Sequence, residues 1–270
     1  MTSLRLRATA SFLTRFSLPF SSPKHPLNPS LSFKPHSNTP NFSTKITMSS
    51  SPSQTIEHVV LFKVKDDTDQ SKVSTMIASL NGLTSLDSVL HLSAGPVLRN
   101  GSSSFDFTHI LHSRYNSKDD LASYSQHPSH VSVVKESVLP IIDDIMAVDW
   151  VADDLPGPVA LPLGSALRVS FLKLKESVGE GAKSEVLEAV KGVKNSFSGI
   201  DQLSVGENFS PGRAKGFSIA SLAVFTGPSE LEAVDSDQEL VNSHKEKVRD
   251  YLESVVVVDY VVSLPQPASL

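Results

Sequence analysis

The chain has 270 residues, a length that suits two domains of about 100–150 residues better than one. With 39% hydrophobic residues and no uncharged apolar run of about 18 residues, the sequence shows no membrane-spanning segment, and the absence of cysteine excludes disulfides and thiolate-ligated metals. The net charge of −5 conceals a basic leader and an acidic body: residues 1–56 carry Arg5, Arg7, Arg15, Lys24, Lys34 and Lys45 and no acid, so the remainder lacks the positive field that nucleic acid requires.

Residues 1–54 are Ser-rich and interrupted by Pro19, Pro23, Pro26, Pro29, Pro35 and Pro40. They read as a disordered organellar targeting leader, of the chloroplast kind by its serine and proline content. Met48 offers a second start directly before the folded body. The tail, 264–270, ends in Ala268-Ser269-Leu270, a relative of the peroxisomal S-K-L address without its central basic residue, held extended by Pro265 and Pro267. The expectation is a chloroplast form from Met1 and a peroxisomal form from Met48.

In the body, Ile56, His58, Val60, Phe62 and Val64 alternate with Glu57, Val59, Leu61 and Lys63 as in a strand. Val73, Ile77, Leu80 and Leu83 follow at helical spacing, with Asn81-Gly82 near the helix end. A second strand is expected around His91 and a third through Phe105, Phe107 and His109 to Leu111, separated by Arg99-Asn100-Gly101. Ser117-Lys-Asp-Asp120 has the form of a capping box and opens a helix that breaks at Pro128 and runs to about Pro140. Ile145 to Val151 closes the unit as a strand.

The same order returns 110 residues later. Val59/Val169, Lys63/Lys173, Lys65/Lys175, Gly82/Gly192, Leu121/Leu231, Lys135/Lys245, Val148/Val258 and Asp149/Asp259 match in that register. The body is thus a β-α-β-β-α-β unit written twice, over 55–152 and 164–263, joined by a linker at 153–163 marked by Pro156, Gly157, Pro158 and Pro162. A sheet with helices on one face needs cover on the other, which a tandem copy supplies.

The segment Leu121-Ala-Ser-Tyr124-Ser-Gln-His127-Pro128-Ser-His130, the opening His58-Val-Val-Leu-Phe-Lys-Val-Lys65 and the closing Val148-Asp149-Trp150 together resemble the stress-response A/B barrel (Dabb) family, and in layout its plant tandem members behind an organellar leader. The resemblance implies an α+β fold, two ferredoxin-like domains forming an intrachain pseudo-dimeric barrel, with self-association extending to homodimers. It implies a stress-linked protein, non-enzymatic or weakly catalytic, acting through small-ligand binding or self-association. The alternative it implies is a polyketide-cyclase-like enzyme acting on a small aromatic or polyketide-like compound. By position, that site would be His58, Tyr124 and His130: a neutral imidazole takes a proton from an activated carbon while a phenol or second imidazole steadies the enolate. A further cyclase tyrosine falls near Ile77 here, a departure from the enzymatic pattern. The resemblance also implies Mg2+ held by main-chain carbonyls at Asn81, Thr84 and Asp87. His127 reads as a helix-boundary residue before proline. In the second half His58, Tyr124, His127 and His130 become Arg168, Val234, Asp237 and Leu240, so any such site belongs to the first half.

Overall fold

A computed structural model describes residues 54–102 and 104–263; the leader, the Met48 start and the terminal Ala268-Ser269-Leu270 lie outside the described residues. The first half runs β1 (Gln54–Val64), α1 (Gln70–Gly82), β2 (His91–Pro96), a short β3 (Arg99–Asn100), β4 (His109–Tyr115), α2 (Lys118–Gln126), α3 (Pro128–Val133) and β5 (Ile142–Asp153). The second repeats this as β6 (Ala166–Leu174), α4 (Glu180–Lys191), α5 (Val193–Ser196), β7 (Gln202–Glu207), β8 (Ile219–Phe225), α6 (Pro228–Ser236), α7 (Gln238–Arg249) and β9 (Leu252–Val261). Among the described residues no helix is long and apolar enough to cross a membrane.

Local signals act where the sequence places them. Ser117 caps α2 by accepting from the Asp120 amide at 3.1 Å. Pro128 ends that helix and starts the next, with His127 at the junction accepting from the Ser129 amide at 3.2 Å. α3 then continues through one wider, π-helical turn at Val134–Val138 rather than as a regular helix to Pro140. The third strand also differs from expectation, starting at His109. The Asn100 side chain donates to the Phe105 and Phe107 carbonyls, holding those residues in a loop, and Phe107 buries its ring in the core.

The sheets are antiparallel, in the orders β2-β4-β1-β5 and β3-β9-β6-β8-β7. Both faces of β1 are buried. Ile56, Val60 and Phe62 pack with Met76, Leu80 and Leu121 of the helices, whereas Val59 and Leu61 join Val148, Trp150, Val169, Phe171, Leu222 and Val258 in a core built by both sheets. That shared core is the interior of a barrel, and it is filled.

The barrel closes at two seams related by a pseudo-twofold. At one, β3 pairs with β9, Leu98 donates to the Asp259 carbonyl at 2.8 Å, and the Tyr260 and Ser93 hydroxyls meet. At the other, Phe209 donates to the Asp149 carbonyl at 3.0 Å and the Trp150 indole donates to Ser204 at 3.2 Å. Small residues admit the large rings: Gly95 lies under Tyr260 and Gly206 under Trp150. A Cβ on Gly206 would sit 2.8 Å from the Val151 carbonyl and 2.9 Å from the Trp150 ring. Gly206→Ala is expected to destabilise by about 1–3 kcal/mol through overpacking. Gly181→Ala, in α4 with nothing within 4 Å, should be neutral or slightly stabilising; urea midpoints of the two variants check the contrast.

One mouth of the barrel lies under the inter-half linker, and its first-half wall carries a buried ion cluster. Glu57, His112 and Arg114 are fully buried there. His112 Nε2 donates to Glu57 at 2.6 Å, Arg114 Nη2 donates to the same carboxylate at 3.0 Å, and Arg114 Nη1 donates to the Val159 carbonyl of the linker at 2.9 Å. Burial alone would raise the Glu57 pKa, but Arg114 and His112 overcome it and hold the carboxyl at about 2. The equivalent second-half residues, Leu167, Leu222 and Val224, are apolar.

Candidate functional site in the first half

His58 is an even-numbered residue of β1 and so faces the helices rather than the barrel interior. Its neighbour across the ladder is Asp149 of β5, and the side chains meet, Nδ1 to Oδ1, at 2.5 Å. Burial would raise the Asp149 pKa, but the imidazole, the Ser210 hydroxyl and the Arg213 charge hold it below the usual carboxylate range. A carboxylate only accepts, so Nδ1 of His58 carries the proton and the ring is fixed in orientation.

Around this dyad stand three aromatic groups. The Tyr115 and Tyr124 rings each approach His58 edge-on at 6.3 Å between centroids, and Tyr124 leans against His130 at 4.6 Å. The two phenols share a hydrogen bond, and burial raises both pKa values, so they remain protonated. His130 Nδ1 donates to the Ser125 carbonyl at 3.0 Å, and burial pushes its pKa down to about 4. The residues expected from sequence, His58, Tyr124 and His130, are therefore brought together, while His127 stays at the helix junction.

Sequence reasoning missed the partners. Asp149 and Tyr115 come from β5 and β4, and Ser210 and Arg213 come from the second half, whose loop after β7 crosses the seam onto β5. The signal for Asp149 was present: Asp149 and Asp259 are matched acids, each following a run of apolar residues in its strand. In the second half the same geometry becomes an ion-pair cluster. Arg168 binds Asp259 at 2.8 Å and Asp235 at 2.6 Å, and Arg99 reaches across from the first half to both acids.

Chemically, an imidazole oriented by a carboxylate beside protonated phenols is a set suited to moving a proton at carbon. It is a packed set, however: Tyr115 and Tyr124 are 0% and 1% exposed. Open cavities lie elsewhere. One, of about 350 Å³, adjoins Asn100, Phe105 and Asp106; another, of about 450 Å³, lies under the linker.

The segment implied for magnesium follows α1. The Asn81 amide donates to the Ile77 and Ala94 carbonyls and accepts from the Ala94 amide, while its main-chain carbonyl accepts from Leu83. Thr84 contacts the Leu92 carbonyl at 3.4 Å, and Asp87 is exposed. These contacts tie α1 to β2. Among the described residues, no group of three or more His, Asp or Glu is placed to hold a metal ion.

Comparison with known proteins matches the stress responsive A/B barrel domain (Dabb) twice, over residues 56–152 and 167–262. One stress-response A/B barrel domain-containing protein of Arabidopsis thaliana is 60% identical over 233 residues, covering 86% of this chain and 88% of that one. A second Arabidopsis thaliana protein of the same description is 50% identical over 212 residues, covering 78% of this chain and 98% of that one. Among solved structures, a candidate monooxygenase of Fusobacterium nucleatum superposes with a TM-score of 0.54 at 15% identity, covering 81% of this chain and 97% of that one. At that identity the likeness is one of fold.

Proposed function

The chain belongs to the stress-responsive A/B barrel family, and from that premise we propose that it acts in the stress response without turning over a substrate, through small-ligand binding on a self-associated barrel. One observation carries this reading: the groups that would do chemistry are closed in on one another. His58 is bound to Asp149, Tyr124 to Tyr115 and His130 to Ser125, and both phenols are buried. A binding site of this kind needs concave space. Self-association is supported within the chain, where the second half covers the sheet of the first and contributes to its polar groups.

The cyclase-like reading is favoured by one feature, the orientation of His58 by Asp149. Imidazole NMR separates the two. Benzoylacetone, an aromatic compound with an acidic carbon, is added to the labelled full chain. The His58 and His130 resonances are expected to stay in place; their joint displacement by this probe, with saturation, would overturn the non-enzymatic reading.

A further inference from the structure

The linker crosses one mouth of the barrel as a strap, and its hold on the barrel is slight. Between residues 155 and 163 it exposes Pro156, Pro158, Val159, Pro162 and Leu163, and Leu161 is the one residue it buries, in the core shared by both sheets. Its hydrogen bonds to the sheets run from the Leu161 amide to His91 Nδ1 at 3.3 Å, from Arg114 Nη1 to the Val159 carbonyl at 2.9 Å and from Gln202 Nε2 to the Pro158 carbonyl at 2.9 Å. A segment with so few buried apolar contacts opens at a lower free energy than the sheets beneath it.

The backbone turns at both ends of this segment. Gly157 and Gly164 have φ of +79° and +88°, a conformation that glycine adopts freely and other residues do not. At Gly164 a Cβ would meet nothing within 4 Å, so the turn of the chain, not crowding, favours glycine there.

The groups under the strap gain from its opening. His91 Nε2, His112 Nδ1 and Gln202 Oε1 are buried without a hydrogen-bond partner, beside the fully buried Glu57 and Arg114. His91 Nδ1 accepts from the Leu161 amide, so its neutral ring carries the proton on Nε2; His112 Nε2 donates to Glu57, which leaves a bare lone pair on Nδ1. A donor and an acceptor are thus both unmet while the strap is down, and water meets both once it lifts. The strap's own amide and carbonyls exchange their protein partners for water in the same step. The main resistance is apolar, the withdrawal of the Leu161 side chain from the core.

We infer that the linker is a lid over the barrel mouth, hinged at Gly157 and Gly164 and corked by Leu161, which lifts without unfolding either half and admits solvent to His91 and His112. With the lid down these imidazoles are sealed from any solute; with it raised they are presented to one. The inference goes beyond the ligand-binding reading above and does not depend on it.

The test is native-state hydrogen exchange of the full chain at low urea, paired with diethyl pyrocarbonate modification of the histidines mapped by mass spectrometry. The Leu161 amide is expected to exchange about a hundredfold faster than the amides of Val169 and Leu222 in the central strands β6 and β8. Its rate should be nearly independent of urea, because a local opening exposes little surface. His91 should be modified at a rate set by the same opening. Gly164→Ala strains the closed strap alone, so Leu161 exchange and His91 modification should quicken together by about tenfold. Leu161 exchange with the urea dependence of Val169, or a Gly164→Ala variant in which the two rates do not rise together, would overturn the lid. Neither result bears on benzoylacetone at His58 and His130, so the two readings fail separately.

Discussion

Glu57→Leu is expected to lower the unfolding free energy by about 3–5 kcal/mol, among the largest effects of any single replacement in this chain. Removing the carboxylate leaves the Arg114 guanidinium buried at 0% exposure with no counter-charge, and takes from His112 the acceptor for its Nε2 proton. The chain supplies its own control. In the second half the equivalent positions are Leu167, Leu222 and Val224, packed in the same shared core. Writing that set into the first half, as Glu57→Leu, His112→Leu and Arg114→Val together, removes the whole group instead of orphaning part of it. The triple variant should recover most of the loss, since apolar replacement of a complete buried ion cluster is often neutral or stabilising. Urea denaturation of the single and triple variants decides the matter; a triple variant as unstable as the single one would show that Arg114 matters chiefly through its bond to the linker at Val159. A recovered triple variant means that the polar cluster is kept for something other than stability.

The strand and helix order was legible because both periods are clean in this sequence, and because Ser117 and Pro128 act locally. The double fold was legible through the 110-residue register. What the alternation of β1 concealed is that both of its faces are buried. Glu57 sits in the polar set of a half-exposed pattern, yet it is fully enclosed, because the second sheet covers the face that a single domain would leave to solvent. The site was half legible for the same reason. His58, Tyr124 and His130 are set by one strand and one helix pair, whereas Ser210 and Arg213 reach Asp149 only through the pseudo-twofold, which no local spacing encodes. Phe105 and Phe107 looked like strand residues by their alternation, but the Asn100 amide takes the carbonyls that a ladder would have used.

Stability is expected to fall steeply as pH drops below about 6.5, with the histidines as the cause. Burial holds the pKa values of His91, His112 and His130 below the ordinary value, to about 3 for His91 and about 4 for His130. A depressed histidine pKa means that the unfolded chain takes up the proton first. The stabilisation is therefore complete above about 6.5 and is lost progressively toward the folded values. Each ring titrating only in the unfolded state contributes about 1.4 kcal/mol per pH unit, so His91 and His130 alone give about 2–3 kcal/mol per unit between pH 6 and 4.5. Glu57 and Asp149 have depressed carboxylate pKa values, so their contribution is present above the ordinary carboxylate range and is lost at lower pH, Glu57 toward about 2. Histidine uptake therefore comes first as acid is added, and carboxylate protonation continues it. A domain of ordinary stability, about 5–15 kcal/mol, would lose much of its margin before pH 4. Urea midpoints taken from pH 7 to pH 4.5 measure the slope. His91→Gln, which copies Gln202 of the second half, should reduce that slope by about one proton, or about 1.4 kcal/mol per pH unit. A slope unchanged by this replacement would mean that His91 is not buried as a neutral ring.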